Sequence, residues 1–362
     1  MIYVHVPFCH RKCTYCAFYS QVESGKWRVE SYVDALLEEM RLRRHEQDHP
    51  IRTVYFGGGT PSILPLSELE RIVKALHDNF DLSQVEEVTL EANPEDLTVD
   101  YLQGLRDLGL INRLSIGIQS LDDSMLRLIG RRHTAAQALA AVENAYAAGF
   151  HNISVDFIYG LPDNPVIPEI PEGVTHVSAY ALTVEPGTAL AVQVEKGRVV
   201  LPDEDEVVRQ YHALRQQLLS AGFHQYEVSN YARPGFESKH NSRYWDRTPY
   251  LGLGPGAHSF SLFDRDSTSV VHVEKRRWNN PDGTFEQETL SAADAYNEIL
   301  MTSLRTTRSL ALAQVPEEQR ERLHREMQPY INCGWITKTS SGYAPTEEGI
   351  LHTDGIAAAL FI

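Results

Sequence analysis

The chain has 362 residues, 42% hydrophobic and 23% charged, and 33 Lys and Arg against 49 Asp and Glu give a formal charge of −16. This exceeds the roughly 250–300 residues at which one core stops growing, so a large domain with a smaller companion is expected. So acidic a surface repels phosphate backbones, which argues against nucleic acid as a partner; no apolar run reaches the roughly 18 residues of a membrane span, and no cleavable signal is visible, so a cytoplasmic protein is expected.

The first predicted strand, 1–6, runs into Cys9, Cys13 and Cys16, a C-x3-C-x2-C triplet. Thiolates this close can wrap an iron–sulfur cluster, and because such a cluster usually takes four thiolates, three leave one iron open to a small molecule. Two other readings of the triplet are zinc completed by His5 or His10 and reduced thiols packed as small hydrophobes. A disulfide framework is not expected from four cysteines, one of them the distant Cys333.

A helix over 30–44 leads to a strand at 53–56 and then Gly57-Gly58-Gly59-Thr60-Pro61. The run is neither a dinucleotide fingerprint nor a P-loop. It reads either as a tight turn or as a cradle whose backbone can approach a ligand with no Cβ in the way. Helices at 66–79, 99–108 and 135–148 alternate with strands at 86–91, 113–118, 153–158 and 177–182. That rhythm means βα units around a parallel sheet. Glu91 closes one of these strands and Gln119 follows another, and strand C-termini are where barrels and open α/β sheets gather their active sites. Between 162 and 174 the connection is too short and proline-rich for the usual crossover helix. Either that unit is abbreviated or residues have been lost from it, and the compressed stretch 282–289 poses the same choice.

Further on, Lys239-His240-Asn241-Ser242-Arg243-Tyr244-Trp245 offers an imidazole that could ligate haem iron. It also offers flat faces for a porphyrin and a guanidinium for a propionate. The plainer reading is a hydrogen-bonded packing histidine. His258, after Gly254-Pro255-Gly256-Ala257, is a second candidate or simply the close of a turn. Residues 261–289 read as a linker. Helices at 291–304 and 316–331, a hairpin at 335–344 and a last helix within 346–360 then form a small α+β, winged-helix-like domain over 290–362. It has no dense basic helix, and is expected as a lid or docking surface over the barrel mouth.

Residues 1–260 resemble the radical S-adenosylmethionine superfamily, and within it the oxygen-independent coproporphyrinogen III dehydrogenases and their haem-chaperone relatives. The resemblance is carried by the cysteine loop with its Tyr-x-His-x-Pro-Phe lead-in, Gly57-Gly58-Gly59-Thr60-Pro61-Ser62, Glu91-Ala92-Asn93-Pro94, Ser115-Ile116-Gly117-Ile118-Gln119-Ser120 and Gly130-Arg131-Arg132-His133. Val155-Asp156-Phe157-Ile158-Tyr159-Gly160-Leu161-Pro162 and the stretches 180–188 and 252–259 add to it. It implies an α/β fold, a partial (βα)6 TIM-like barrel. It further implies a [4Fe–4S] cluster on Cys9, Cys13 and Cys16, with S-adenosylmethionine chelating the open iron. An electron from the cluster would break a carbon–sulfur bond, giving methionine and a 5′-deoxyadenosyl radical. On the family pattern Tyr3 and Tyr15 lie against this cofactor, and Gly58, Gly59 and Thr60 meet its methionine end. Glu91 and Asp156 accept its polar hydrogens, Gln119 adds hydrogen bonds, Arg131 forks onto its carboxylate, and Ala181 lines the adenine side.

The H-N-x-x-Y-W sequence is similar to the haem-binding motif of the chaperone branch, which makes His240, Asn241, Tyr244 and Trp245 its haem candidates. The dehydrogenases carry a fourth cysteine where this chain has Phe18, and an extension before the first strand, which here begins at residue 1. Both departures favour the chaperone branch, with haem, client haemoproteins and an electron donor as partners. Oxidative decarboxylation of coproporphyrinogen III is the alternative.

Overall fold

The computed structural model describes residues 1–22, 29–47, 49–162, 169–266 and 269–362, with the side chains of 263–273 outside the described set. Six parallel strands form the frame: β1 (Ile2–Val6), β2 (Thr53–Gly58), β3 (Glu87–Ala92), β4 (Arg113–Gln119), β5 (Ile153–Tyr159) and β6 (His176–Ala181). Helices α1 (Val29–Arg43), α2 (Leu66–Asn79) and α3 (Val99–Asp107) join the first four strands, and α4 (Asp123–Leu128) and α5 (Ala135–Ala147) lie between β4 and β5. The short crossover expected after residue 162 falls largely on 163–168, outside the described residues.

Sequence alternation within each strand decides which side faces what. Ile2, Val4, Val54, Phe56, Val88, Leu90, Leu114, Ile116, Val155 and Val177 are buried in one apolar cluster with the helices, an arrangement stabilised at about 25 cal/mol per Å² of apolar surface removed from water. The intervening residues are polar. Register pairs Glu91 with Ser115, Gly117 with Asp156, and Asp156 with Ser178, so they share the other face. The sheet therefore curls around a polar bore.

Three short strands complete a nine-stranded sheet. The hairpin of β7 (His224–Gln225) and β8 (Asn230–Ala232) adds antiparallel to β6, and β9 (Leu251–Leu253) adds parallel to the free side of β1. The barrel is thus the expected six-unit partial one, with one additional strand at the β1 margin and two at the β6 margin. Between the hairpin and β9, after α6 (Ala189–Glu195) and α7 (Glu204–Ser220), the chain forms α8 (Lys239–Trp245).

Residues 261–289, expected as a linker, instead hold most of a three-stranded antiparallel sheet: β10 (His258–Asp266), β11 (Ser269–Asn279) and β12 (Phe285–Thr289). The compressed stretch at 282–289 is a hairpin turn closed by Asn280 N–H on the Thr284 carbonyl at 2.8 Å, followed by β12. The expected winged-helix-like domain follows as α9 (Ala292–Leu304), β13 (Leu310–Ala311), α10 (Glu317–Asn332), β14 (Ile336–Lys338), β15 (Gly342–Pro345) and α11 (Thr353–Ala359). It has its own core around Tyr296, Leu300, Leu323, Met327 and Tyr343. Arg308 pairs with Asp246 at 2.7 Å and Arg305 lies 5.4 Å over the Trp245 ring, so this domain seats against α8.

Candidate functional site

The cysteine loop follows β1 at the carboxyl ends of the strands, over a cavity of about 510 Å³. Cys9, Cys13 and Cys16 line it, together with Tyr15, Gly58, Gly59, Thr60, Glu91, Asn93, Gln119, Arg131, Asp156 and Ala181. One cavity therefore gathers nearly all the residues that the cluster and cofactor reading singled out. Tyr3 stands just beneath, its hydroxyl 3.1 Å from His5 Nδ1 and its ring stacked on Tyr55 at 6.1 Å.

The three thiols are free, half-buried and close enough for Cys13 and Cys9 to raise the Cys16 thiol's pKa, whose largest upward push is burial and which the Phe18 backbone N–H opposes. Among the described residues, no three His, Cys, Asp or Glu side chains converge as they would around a single ion. Of the two histidines considered as a fourth ligand, His5 is committed elsewhere and His10 stands beside a carboxylate. His5 Nε2 bonds the Tyr19 carbonyl at 3.0 Å, and His10 lies 3.6 Å from Asp96. A triplet lining a broad wall, with polar donors behind it, suits a compact multi-iron cluster better than one zinc ion.

The glycine run meets a packing demand first. A Cβ on Gly59 would sit 2.5 Å from the Phe8 carbonyl, and one on Gly58, whose φ is +111°, would sit 2.7 Å from the His5 ring. Only glycine lets this turn pass directly under the cysteine loop. The tight-turn reading therefore holds, and the same absence of side chains leaves Gly58 and Gly59 lining the cavity.

Two carboxylates lie deeper. Glu91 accepts from the Tyr55 hydroxyl at 2.8 Å and from Gly58 N–H at 3.2 Å. Burial pushes its carboxyl up to about 7, with the Tyr55 bond opposing and Asp156 adding to the rise. Burial likewise lifts Asp156 to about 6 against a hydrogen bond from Ser178. Gln119 ends β4 at φ 70°, just past a register shift, a backbone conformation rare for a non-glycine residue. Arg131 does not point its fork at open space: it donates to Asn93 Oδ1 and the Gly117 carbonyl, each at 2.6 Å, and to Cys13 Sγ at 3.6 Å. Its Nε is buried without a partner.

The haem candidates lie elsewhere. Thr53 and Glu87 begin their strands, and α8 docks on them. Glu87 accepts from the backbone N–H groups of Lys239 and His240, each at 2.9 Å, and Thr53 Oγ1 lies 2.9 Å from His240 Nδ1. α8 therefore closes the floor of the barrel, opposite the cysteine loop. His240 is fully buried. Its Nε2 is 3.0 Å from the Tyr244 hydroxyl, its ring is 5.1 Å from Tyr55, and burial lowers its pKa to about 3. In this structure both ring nitrogens of His240 are engaged inside the core, and Trp245 is packed beneath Arg305. Asn241 is half-buried, its N–H capped by Ser238. Tyr244, Trp245 and His258 meet at a second cavity of about 180 Å³, small beside a porphyrin. The lid expectation is corrected. None of the residues lining the larger cavity comes from 290–362, because Arg305 and Arg308 anchor that domain at α8 instead.

Residues that the sequence reading did not assign hold this site together: Tyr55 under Glu91, Asn93 between Arg131 and Thr60, and Thr53 and Glu87 under α8. Asn93 was within reach, since it lies two residues after Glu91 in a motif already marked. The others acquire their roles only when neighbouring strands align.

A thiol triplet at the mouth of a partial parallel barrel, above a polar bore, is the arrangement of a radical S-adenosylmethionine protein. The Radical SAM superfamily model matches residues 3–166, and that of the HemN C-terminal domain matches 290–352. Among solved structures, the coproporphyrinogen III oxidase HemN of Escherichia coli, described as a radical SAM enzyme, is similar with a TM-score of 0.79 at 21% identity, over 99% of this chain and 89% of that one, a likeness of fold. Among curated proteins, the Mycobacterium tuberculosis "Heme chaperone HemW" is 36% identical over 89% of this chain and 85% of its own length. The Synechocystis protein of the same name is 32% identical over 99% and 95%. The bovine "Radical S-adenosyl methionine domain-containing protein 1, mitochondrial" is 36% identical over 84% and 73%. The chain belongs to the HemW family within the radical SAM superfamily.

Proposed function

We propose that this chain is a haem chaperone that holds a [4Fe–4S] cluster on Cys9, Cys13 and Cys16, takes S-adenosylmethionine into the adjoining cavity, and delivers haem to client haemoproteins in the cytoplasm. The observation that carries the reading is the cysteine loop itself: three thiols share one cavity, and Phe18, 72% exposed, occupies the place of a fourth cysteine. When bound, the cluster and S-adenosylmethionine supply one-electron chemistry, which the protein positions. Tyr3, Tyr15, Gly58, Gly59, Thr60, Gln119 and Ala181 shape the cofactor's pocket. Glu91 and Asp156 are its hydrogen-bond acceptors, and an outside electron donor serves the cluster.

Haem is assigned to α8 through His240, with Tyr244 and Trp245 as porphyrin faces and Asn241 beside them. Since α8 is docked on Thr53 and Glu87, iron ligation requires the helix to leave the barrel floor. The rival reading is coproporphyrinogen III dehydrogenase activity, which the HemN-like fold favours. Anaerobic titration with haem should give a Soret band that shifts or vanishes in His240→Ala, with no conversion of coproporphyrinogen III. Turnover of the porphyrinogen without haem binding would overturn the proposal.

A further inference from the structure

Two thiols of the triplet meet a hydrogen-bond donor, and both donors are held by a single side chain. Thr60 Oγ1 lies 3.6 Å from Cys9 Sγ and Arg131 Nη1 lies 3.6 Å from Cys13 Sγ. Asn93 ties the two together: its Nδ2 donates to Thr60 Oγ1 at 3.2 Å and its Oδ1 accepts from Arg131 Nη2 at 2.6 Å. The Asn93 backbone is fixed in turn, its N–H on Ser62 Oγ at 3.2 Å, and the Gly117 carbonyl holds the same guanidinium at 2.6 Å. Thr60 is buried. A Cβ on Gly117 would stand 3.0 Å from Gln119 Nε2 and 3.3 Å from Arg131 Nη2, so any larger residue there would press on both side chains.

We propose that Asn93, Thr60 and Arg131 form a brace that sets the reduction potential of the cluster, with Asn93 as the positioning residue. Hydrogen bonds and positive charge at cluster sulfurs favour the reduced, more negative state and so raise the potential. A guanidinium does this more strongly than a hydroxyl because it carries a full charge, and Asn93 acts on two sulfurs at once by orienting both donors. The inference rests on the assignment of the cluster to Cys9, Cys13 and Cys16, and it deepens the chaperone reading. A cluster held at raised potential is easier to keep reduced but is a weaker reductant toward a sulfonium, which suits a cluster that serves assembly rather than repeated turnover.

The test is a redox titration of the reconstituted full chain, without S-adenosylmethionine, followed by electron paramagnetic resonance, comparing the unaltered protein with Asn93→Ala and Arg131→Lys at matched iron and sulfide content. At the potential that half-reduces the unaltered cluster, the oxidised-to-reduced ratio in Asn93→Ala should rise about tenfold, a shift of about 59 mV to more negative potential for a one-electron couple. Arg131→Lys, which keeps the charge but loses the fork, should shift less in the same direction. Equal potentials in all three proteins would overturn the brace. So would failure of both variants to load a cluster that the unaltered protein loads, because the donors would then be building the cluster rather than tuning it. Absence of a cluster in the unaltered protein would instead sink the cluster assignment itself.

Discussion

Among single residues, Glu91 carries the most specific consequence. Its carboxyl is raised to about 7 mainly by burial, so near neutrality it is divided between an acceptor-only form and one that holds a proton. An acceptor role toward the cofactor belongs to the ionised form, whose share falls about tenfold for each pH unit below that value. Affinity for S-adenosylmethionine, measured by calorimetry on the cluster-loaded protein, should therefore weaken between pH 8 and pH 6. Glu91→Gln, unable to ionise, should bind weakly with only the shallow slope that Asp156 adds near pH 6, whereas the full slope retained in Glu91→Gln would place the titrating group elsewhere. His240 shows the other side of burial. Its sequence context suggests a ligand, yet its lowered pKa and two hydrogen bonds are those of a neutral residue inside a core. No pattern in one strand or helix could reveal that, because Thr53 lies 187 positions away.

Among elements, α8 matters most. It has seven residues, too few to be stable alone in water, and it is held by its capping Ser238, by Glu87 under its first N–H groups and by Glu86, which pairs with Lys239 at 3.0 Å and Arg243 at 3.2 Å. A helix N-terminus favours a nearby carboxylate, so Glu87 works as a latch. If haem goes to His240, apparent affinity is reduced by the fraction of molecules in which the latch is open. Glu87→Gln, which keeps the shape but not the charge, should tighten haem binding severalfold in a Soret titration. Binding unchanged or weaker in a folded Glu87→Gln protein would show that α8 does not gate the site. The barrel strands themselves were legible from sequence because each alternates apolar and polar side chains. The linker reading of 261–289 failed for a related reason: β12, exposed along its whole length, carries no alternation of apolar and polar residues that would mark it as a strand.

For the molecule as a whole, the polar bore sets two opposing responses to pH. His176 and His240, held neutral by burial, must become protonated on unfolding below the ordinary value of 6.5, so their effect is to lower stability as pH falls. Glu91, Asp156 and Glu227, raised by burial to about 7, 6 and 7, hold protons that the unfolded chain has lost, so their effect is to raise stability as pH falls toward 4.5. The two groups nearly cancel between about pH 5 and 7. Below about 4.5 these carboxyls are largely protonated in both states, and the histidines are joined by carboxylates held low in the fold, such as Glu86 beside Lys239, whose stabilisation is lost as pH falls. Urea midpoints should thus be nearly level from pH 7 to 5.5 and drop clearly by pH 4. A loss approaching 1.4 kcal/mol per pH unit already between 7 and 5.5 would mean that the carboxylates do not oppose the histidines.

The cysteine triplet, the strand–helix rhythm, the glycine turn and the small C-terminal domain were readable in the chain alone, because these are local patterns written within a few residues or one helical repeat. Tertiary structure alone decided that α8 plugs the barrel floor, that the C-terminal domain seats there and leaves the mouth uncovered, and that Asn93 stands between two thiol donors. Such contacts join residues far apart in the chain, and their geometry is fixed by strand register and by which groups lose water together.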